Sequence, residues 1–557
     1  MINEITSRDE LAELIGVHPR KLTYLLYKKH VENMYTSFEI SKKNGGMRLI
    51  NRPNKELRYV QHNLAVELYK YREFLLKEEI NNNVSQAFEK EKSIFTNARI
   101  HRNKRFIINI DLENFFDNIH FGRVRGYFFK NRYFELPEEV ATVIAQLTCY
   151  KGSLPQGAPT SPIISNYICN ILDLRIIKLA KKYKMNYTRY ADDLTFSTND
   201  KHYVDNQDEF YIKLKKEVEK AGFRINEKKT RVSYKDSRQE VTGVVVNEKI
   251  SVNREYYKKT RAMADHLYRN GEFLIDGEKG SIYQLEGRFD FINQAERFDN
   301  KYFKRKRNFY DLNAREKQYK KFLFYKYFFS NEKTLIITEG KTDIIYIKAA
   351  LKKLYKYYPE LITLNEDGKY QYKISFLKKS KRLDYFLNIK KDGADTLKNI
   401  YAYYSGKSGI NYPSYIDEFI EKQNKEPKNA VIMIYDNELQ NKSKPVAKFC
   451  KANIKEKRVE LQKKEYVSLH SNLFLMVTPL NSETKESDIE DLFDDELINI
   501  ELKGKKFTKE DTYDVEHYFG KDRFSKYVMK NYEQINFEKF RPLLDNIRKI
   551  ILDYCKR

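Results

Sequence analysis

Apolar and polar residues follow different patterns in the two parts of the chain. Before about residue 330, helical periodicity predicts helices at 9–15 and 57–76, and short apolar runs predict strands at RFIINID (105–111) and LTFST (194–198). The pattern therefore predicts that helices surround the strands of this part.

After residue 330, apolar strands alternate with amphipathic helices. The predicted strands are TLIITEG (334–340), KISFLK (373–378), AVIMIYD (430–436) and NLFLMVTP (472–479). Helices are predicted at 343–357 and around 415–422. This alternation is typical of an α/β fold with a mostly parallel sheet that is covered on both faces. The last stretch, from about residue 505, is predicted to be helical and polar.

A basic and aromatic stretch at 301–329 lies between the two parts, and an apolar strand follows it directly. We therefore place a boundary at about residue 330. The full length of 557 residues corresponds to three or four folding units at about 150 residues per domain. With 41% apolar residues, disorder is excluded as the main state.

The chain is strongly basic, with 104 Lys and Arg against 79 Asp and Glu, a formal net charge of +25. Such a charge favours a nucleic-acid partner, because cationic side chains that neutralise phosphates release counterions. A solvated basic surface explains the charge equally well, so motifs must decide between the two. No apolar run approaches the ~20 residues of a membrane span, so no membrane partner is expected.

The cysteines predict a reducing environment. Cys149, Cys169, Cys450 and Cys555 lie far apart in apolar surroundings and form no CxxC pair, so we expect buried thiols and no zinc site. The amino terminus has no basic segment followed by an apolar stretch, which argues against a secretory signal. We expect a cytoplasmic protein.

Three aspartates form the first candidate site. Asp111 ends the strand RFIINID, and the adjacent Asp192 and Asp193 lie between two short strands, where a hairpin tip is predicted. Three carboxylates gathered at strand ends would hold two Mg²⁺ ions about 3.5–4 Å apart, a geometry that supports phosphoryl transfer. For an isolated Tyr-x-Asp-Asp string, solvated turn residues are an equally good explanation.

Further strings in the same part accompany these aspartates. They are LPQGAPTSPIISN (154–166), NARIH (97–101) and VTG (241–243). With Tyr190-Ala-Asp-Asp and Asp111, their order and spacing resemble reverse transcriptases, and NARIH and VTG resemble the retron type. The resemblance covers roughly residues 1–320.

The resemblance implies an α+β right-hand polymerase, with fingers and palm at about 1–250 and a thumb at about 251–320. It implies RNA-directed DNA synthesis from dNTPs, with Asp111, Asp192 and Asp193 as catalytic residues and metal ligands. Two Mg²⁺ ions per active site are expected, with Mn²⁺ as an alternative.

The resemblance also implies nucleotide-binding residues. They are Arg48, Arg52, Phe116, Gln156 and Gly157. The Arg48 guanidinium suits a triphosphate, and Arg52 has either the same role or faces solvent. Phe116 falls where the family has its steric gate against a ribose 2′-hydroxyl, although core packing of Phe115 or Phe116 is the alternative. Gly157 would let the backbone approach a base pair closely.

Retron kinship further implies RNA recognition. The residues concerned are Asn97, His101, Val241, Thr242 and Gly243. A structural histidine is the alternative at position 101. The basic, aromatic stretch 256–325 suits binding of an RNA hairpin or, alternatively, ordinary helix packing. Lys228 and Lys229 either approach phosphate or end a solvated strand.

Retron enzymes prime from a 2′-hydroxyl of their own structured RNA and make msDNA, a branched RNA–DNA. The partners implied are therefore a cognate noncoding RNA (msr-msd) and its msDNA product. A mobile-element reverse transcriptase is the rival interpretation, and the absence of maturase and HNH-like segments in the sequence argues against it.

A second set of acids lies in the carboxy-terminal part. Glu339 and Asp436 end apolar strands, and Glu438 follows two residues after Asp436, so that both can share a metal. SDIEDLF (487–493) adds Asp488, Glu490 and Asp491. Acids in a first helical turn also stabilise the helix dipole, and this alternative stays open for 488–491.

These acids resemble a Toprim domain of the OLD-like, nuclease-associated group. The resemblance implies a Toprim domain at 333–557 with a helical extension, joined by a connector at 321–332. It implies Glu339 as a catalytic residue or metal ligand, Asp436 and Glu438 as Mg²⁺ ligands, and Glu490 at a second metal. The string Asp436-Asn437-Glu438 departs from the usual Asp-x-Asp.

The combined prediction is a retron reverse transcriptase fused to a Mg²⁺-dependent nuclease that cuts cellular RNA or DNA. Family resemblance implies that msDNA holds the nuclease inactive until phage infection. The alternative is a catalytically inactive Toprim scaffold that only binds nucleic acid, and a homo-oligomer is one of the open states.

Overall fold

Two groups of residues pack among themselves in the computed structural model. It describes residues 1–42, 45–78, 84–390, 395–407, 409–480, 485–510 and 512–556. The amino-terminal unit comprises Met1–Arg254 with Ala295–Asp299, and the carboxy-terminal unit comprises Glu255–Gln294 with Asn300–Arg557.

The amino-terminal unit combines helices with a small antiparallel sheet. Its helices are α1 (Arg8–Leu14), α2 (Pro19–Tyr24), α3 (Lys55–Lys77), α4 (Ile94–Ile100), α5 (Phe121–Lys130), α6 (Glu138–Thr148), α7 (Ser161–Lys182) and α8 (Tyr203–Lys220). Its strands are β1 (Tyr35–Ser41), β2 (Met47–Pro53), β3 (Phe106–Asp111), β4 (Asn186–Tyr190), β5 (Asp193–Thr198), β6 (Arg231–Tyr234), β7 (Glu240–Val241) and β8 (Val244–Val245). The predicted helices at 9–15 and 57–76 are confirmed within one or two residues.

Four strands form the palm sheet, in the order β4-β5-β3-β6 with every pair antiparallel. Its apolar residues, such as Ile108, Ile110, Leu194 and Phe196, join the core that α3, α5, α6 and α7 complete. β1 and β2 form a separate hairpin, which we call the fingers hairpin after the resemblance that predicts fingers in this part. Helices thus surround the strands, as the sequence predicts.

The carboxy-terminal unit alternates helices and strands. Its helices are α9 (Arg254–Asn270), α10 (Ile282–Tyr302), α11 (Ala314–Phe324), α12 (Lys341–Lys353), α13 (Lys381–Leu387), α14 (Asp395–Ser405), α15 (Tyr415–Gln423), α16 (Pro445–Asn453), α17 (Arg458–Lys464), α18 (Asp495–Ile498), α19 (Lys521–Lys530) and α20 (Arg541–Cys555). Its strands are β9 (Leu274–Ile275), β10 (Glu278–Lys279), β11 (Leu335–Thr338), β12 (Ile362–Leu364), β13 (Tyr370–Tyr372), β14 (Ser375–Phe376), β15 (Val431–Tyr435), β16 (Tyr466–His470), β17 (Leu473–Val477), β18 (Lys506–Phe507) and β19 (Tyr518–Phe519).

Five of these strands form a sheet in the order β14-β11-β15-β17-β16, parallel except for the edge strand β16. Alternate residues of β11 enter different cores: Leu335 and Ile337 pack on one face and Ile336 on the other. The predicted mostly parallel sheet with both faces covered is therefore confirmed.

Three sequence predictions need correction or stay open. The stretch after residue 505 is helical only from Lys521, because Phe507 and Phe519 on β18 and β19 first pack together in the core. Cys555 is exposed, whereas the other three cysteines are buried. The predicted ends of the polymerase at residue 320 and of the connector at residue 332 stay predictions. By packing alone, most of α9 and α10 belongs to the carboxy-terminal unit.

Within the described part of the chain, none of the helices combines the length and apolarity that crossing a bilayer requires.

Candidate active site

The palm sheet brings the three predicted catalytic aspartates to neighbouring positions. Asp111 is the last residue of β3 and Asp193 the first of β5, and the two lie directly opposite each other in register. Asp192 precedes Asp193 in the turn from β4, and its carbonyl accepts a hydrogen bond from the Leu112 N–H at 3.0 Å. The predicted hairpin tip is confirmed.

The turn that carries Asp192 is conformationally strained. Only Ala191 and Asp192 join β4 to β5, and Ala191 has a φ of +57°. Two-residue hairpins need such angles, which cost a residue with a Cβ about 1 kcal/mol or more. Strain of this kind persists only where surrounding contacts hold it.

Burial and mutual repulsion raise the pKa values of two carboxyl groups in this cluster. Burial raises the pKa of Asp193 to about 7, and the charges of Asp192 and Asp111 add to the effect. Burial also raises the pKa of Asp192, and the charge of Asp111 adds to it. Carboxylates in this state favour a nearby cation, because it relieves both effects.

A lysine contacts one of these carboxylates. Lys229 Nζ lies 3.0 and 3.1 Å from the two carboxylate oxygens of Asp111, and Asn226 Nδ2 donates to the same side chain at 3.2 Å. The sequence left open whether Lys229 contacts phosphate or solvent, and its carboxylate contact was not foreseen.

The donor set of the palm fits a hard divalent cation, since it consists of carboxylates without imidazole or thiolate. Over the described residues, however, no three His, Cys, Asp or Glu side chains are already arranged closely enough to hold a metal ion. The backbone thus sets the three aspartates at neighbouring positions, while their side chains are not in a metal-binding arrangement.

The fingers hairpin supplies the predicted triphosphate residues. Arg48 and Arg52 lie on β2 and are exposed. The positive charge of Arg48 offsets a small part of the increase in the pKa of Asp192 that burial causes. Arg48 is therefore within electrostatic reach of the aspartate cluster.

The two adjacent phenylalanines differ in burial. Phe115 is buried and stacks on Phe223 at a centroid distance of 5.6 Å, whereas Phe116 is only half-buried. Phe116 also packs against the core and lies edge-on to Phe115 at a centroid distance of 5.1 Å. Core packing therefore applies fully to Phe115 and partly to Phe116, and the gate stays a prediction.

The structure requires a glycine at position 157 for a reason that the sequence did not indicate. Its φ is +121°, and a Cβ at this position would lie 2.8 Å from the Asn51 carbonyl oxygen on β2. The Asn51 N–H donates to the carbonyl of Gln156 at 2.8 Å, and the Gln156 side chain is half-buried. The glycine therefore lets the loop pack on the fingers hairpin; the close approach to a base pair stays a prediction.

The predicted RNA contact of NARIH needs correction for its two named residues. Asn97 and His101 are both 0% exposed. His101 bonds to Ser197 Oγ at 2.8 Å and to Thr188 Oγ1 at 2.7 Å, and Thr188 donates to Asn97. These side chains brace β4 and β5 from inside, so in this structure they are inaccessible to RNA.

The VTG string forms the turn between β7 and β8, which packs beside α4. Thr242 and Gly243 have φ values of +48° and +78°, as a type I′ turn requires. Val241 is buried, Thr242 half-buried and Gly243 exposed. Of the predicted RNA-binding residues, the two turn residues are thus the accessible ones.

The carboxy-terminal acids gather at the carboxyl ends of β11 and β15. Glu339, Asp436 and Glu490 line a cavity of about 540 Å³. Burial raises the pKa of Asp436 to about 8, with Glu339 as the largest charge contribution, and burial raises the pKa of Glu490 to about 7. Burial also raises the pKa of Glu339, to which Glu438 and Asp343 contribute.

Lysines that no motif indicated contact these acids. Lys444 pairs with Glu438 at 2.5 Å and Lys521 with Glu490 at 3.2 Å. Glu438 does not line the cavity with Asp436, contrary to the simplest expectation for acids two residues apart. The lysines lie in polar segments, where the sequence offers no signal for such contacts.

Asp488 and Asp491 have the helix-start role that the sequence left open. The Asp491 N–H donates to Asp488 Oδ1 at 3.1 Å, and the Asp488 N–H donates to Asp491 Oδ2 at 2.9 Å. The turn that they cap is a single 3₁₀ turn, Ile489–Leu492, which buries Glu490.

A family model described as reverse transcriptase (RNA-dependent DNA polymerase) matches residues 40–246. The Escherichia coli retron Ec86 reverse transcriptase is 37% identical over 247 residues, which are 44% of this chain and 71% of that protein. The Myxococcus xanthus retron Mx162 reverse transcriptase is 32% identical over 332 residues, which cover 53% of this chain and 65% of that protein.

Among solved structures, an apo telomerase of Candida tropicalis truncated from its C-terminal domain is 13% identical. The likeness has a TM-score of 0.31 and covers 41% of this chain and 56% of the telomerase chain. The matched residues include the sheet that sets three aspartates at neighbouring positions. These sequence matches show that the chain belongs to the retron reverse transcriptases, a family of RNA-directed DNA polymerases.

Proposed function

We propose that the amino-terminal unit copies a cognate structured noncoding RNA into msDNA, starting from a 2′-hydroxyl of that RNA. Kinship with the retron enzymes supports this proposal. The observation that carries the polymerase role is the register of β3 and β5, which sets Asp111 opposite Asp193 and beside Asp192.

In this proposal the chain's own residues divide the work. Asp111, Asp192 and Asp193 hold two Mg²⁺ ions, and Mn²⁺ substitutes for them. When bound, these ions lower the pKa of the attacking hydroxyl and neutralise the triphosphate. Arg48 and Arg52 grip the triphosphate of a dNTP, for which a guanidinium fork is suited.

The remaining predicted residues bind substrate around this centre. Phe116 excludes a ribose 2′-hydroxyl, and the loop at Gln156 and Gly157 supports template and primer. The turn Thr242–Gly243, in which Gly243 is exposed, and the basic, aromatic stretch 256–325 bind the cognate RNA through phosphates and stacking.

Sequencing of RNA that copurifies with the full chain tests this function. A single structured RNA should dominate, and added dNTPs should extend DNA from it. Treatment with a 2′,5′-debranching enzyme should release that DNA from the RNA. DNA that starts only from 3′ ends and is unchanged by debranching would contradict 2′ priming, without touching the polymerase assignment.

We further propose that the sheet edge of the carboxy-terminal unit is a Toprim-like, Mg²⁺-dependent nuclease for cellular RNA or DNA. Its support is the convergence of Glu339 and Asp436 from neighbouring parallel strands on one cavity that also holds Glu490. In this proposal msDNA keeps the nuclease inactive in the cytoplasm, and phage infection releases it.

A second candidate for this unit is an inactive scaffold that binds nucleic acid. It is favoured by the ion pairs of Lys444 with Glu438 and Lys521 with Glu490, which neutralise acids that metal would otherwise use.

Cleavage assays distinguish the nuclease from the scaffold. The full chain is freed of bound msDNA by nuclease treatment, repurified and incubated with tRNA, mRNA or DNA and Mg²⁺. Cleavage that EDTA abolishes supports the nuclease. Binding without cleavage of any of these substrates supports the scaffold.

A further inference from the structure

A charged side chain lies buried directly behind the palm turn. Arg189 is on β4, three residues before Asp192, and its side chain is 0% exposed. A guanidinium in the protein interior is tolerated only when its charge is paired and its N–H groups are bonded. The partners of Arg189 therefore indicate what it holds in place.

One side of the guanidinium is anchored to α7. Nε and Nη2 donate to the carboxylate of Asp173 at 2.9 and 2.8 Å, which makes a two-pronged contact. The Tyr187 hydroxyl donates to the same carboxylate at 2.7 Å. With Asp173 only 2% exposed, these bonds fix the plane of the guanidinium.

The other side of the guanidinium reaches the turn. Nη1 donates to the carbonyl of Ala191 at 3.4 Å and to Asn166 Oδ1 at 3.2 Å. Ala191 is the strained residue with φ +57° that immediately precedes Asp192. The same side chain thus joins the helix behind the palm to the turn that presents Asp192.

The main chain of Arg189 is also held. Its N–H donates to the Val84 carbonyl at 3.1 Å, and the Gln86 N–H donates to its carbonyl at 2.8 Å. Both backbone groups of Arg189 thus bond the segment around Ser85, while β5 pairs along the other edge of β4.

We propose that Arg189 is a positioning residue for DNA synthesis: anchored by Asp173, its guanidinium holds the Ala191 carbonyl and thereby keeps the strained turn that presents Asp192 and Asp193 beside Asp111. A lysine cannot replace it, because an ammonium lacks the planar fork that bonds Asp173 and Ala191 at once. A purely structural ion pair would affect only stability. The proposed role also predicts an effect on kcat and on the Mg²⁺ concentration that DNA synthesis requires.

The first test replaces the charged network by apolar groups. In the full chain, Arg189→Met, Asp173→Leu and Tyr187→Phe are combined, because apolar replacements of buried ion pairs are often neutral for stability. DNA synthesis on poly(rA) primed with oligo(dT) is measured together with the thermal midpoint. We expect a midpoint near that of the unchanged protein and a kcat lower by about tenfold to a hundredfold.

Two further readouts separate positioning from folding. The Mg²⁺ concentration for half-maximal rate should rise by about threefold or more, while KM for dTTP changes less than kcat. An unchanged kcat and Mg²⁺ dependence in the folded variant would overturn the proposal.

A second pair of variants decides the question if the combined variant does not fold. Arg189→Lys should lower kcat, and Ala191→Gly added to it should recover at least about threefold, because glycine adopts the turn without strain. No recovery, in a protein whose thermal midpoint is unchanged by the added glycine, would overturn the proposal.

Gln61→Leu is the matched control for general destabilisation. Gln61 is fully buried on α3, where its amide donates to the Leu147 carbonyl at 2.7 Å. This variant should lower the thermal midpoint and leave kcat and the Mg²⁺ requirement of the folded fraction unchanged.

Discussion

In the palm, Asp111 and Asp193 face each other across two antiparallel strands, whereas Glu339 and Asp436 follow the ends of two parallel strands. Strand register places the palm pair, because a shift by one residue would turn these side chains to the opposite face. The second pair lies in loops after the strands, so the loops decide where the carboxylates point. Acids at strand ends can thus be brought together by register or by loop closure.

The two clusters also differ in the lysines that reach them. Among the described residues, Lys229 pairs with Asp111 in the palm. In the carboxy-terminal unit, Lys444, Lys509 and Lys521 pair with the acids of 436–491. These lysines neutralise part of the charge of Glu438, Asp488 and Glu490, whereas the pKa values of Glu339 and Asp436 stay raised. The demand for a cation in the second cluster therefore lies mainly at Glu339 and Asp436.

Asp192→Asn should break the palm cluster with the largest effect. The substitution removes one of the proposed metal ligands, and bound metal stabilises the charge of the transition state by several kcal/mol. The rate of DNA synthesis should therefore fall by about a thousandfold or more. Primer extension measures the rate. RNA binding and the thermal midpoint should be unchanged in the variant. Asp208→Asn, at an exposed site on α8, is the control, and persistent synthesis would remove Asp192 from the metal site.

Glu339→Gln tests whether the second cluster is a catalytic site at all. If Glu339 acts as general acid, base or metal ligand, Mg²⁺-dependent cleavage should fall by about a hundredfold, with any growth toxicity relieved and cDNA yield unchanged. The exposed Glu360→Gln serves as control. Toxicity and cleavage retained in the Glu339 variant would exclude this residue from the site.

The strand end at Asp111 and the hairpin tip at Asp192 and Asp193 could be predicted, because pattern and motif agree there. The register that sets Asp111 opposite Asp193 depends on which strands pair. The burial of Asn97 could not be predicted, since a motif does not show which side of a helix packs on the sheet. For His101 the structure matches the structural alternative that the sequence offered. The Asn51 carbonyl at Gly157 and the lysines at the second cluster come from distant segments. Their proximity depends on tertiary packing, for which a single sequence carries no local signal.

Phe116→Ala tests a property of the palm that has no counterpart in the carboxy-terminal unit, the selection of deoxynucleotides over ribonucleotides. Removal of the half-buried ring opens space for a ribose hydroxyl, so incorporation of ribonucleotides relative to deoxynucleotides should rise by about a hundredfold. Single-nucleotide incorporation measures this ratio. Phe129→Ala, an exposed ring on α5, is the control, and an unchanged ratio would assign Phe116 to packing.

His101→Gln tests the internal brace of the palm through pH. Burial lowers the pKa of His101 to about 3, so below the ordinary value of about 6.5 only the unfolded state takes up the proton. The unchanged protein should lose about 2 kcal/mol of unfolding free energy from this group between pH 7 and pH 5, and the variant should lose none.

Denaturant titrations at both pH values give the difference between the two proteins, with the exposed His202→Gln as control. The same pH dependence in the His101 variant would contradict the account of a neutral, buried imidazole.

The most direct test of the palm is anomalous diffraction from crystals of the full chain with Mn²⁺, a primed RNA template and a non-hydrolysable dNTP. The account predicts anomalous peaks between the triphosphate and the side chains of Asp111, Asp192 and Asp193. An ordered nucleotide with its metal ions bound away from these three side chains would contradict it.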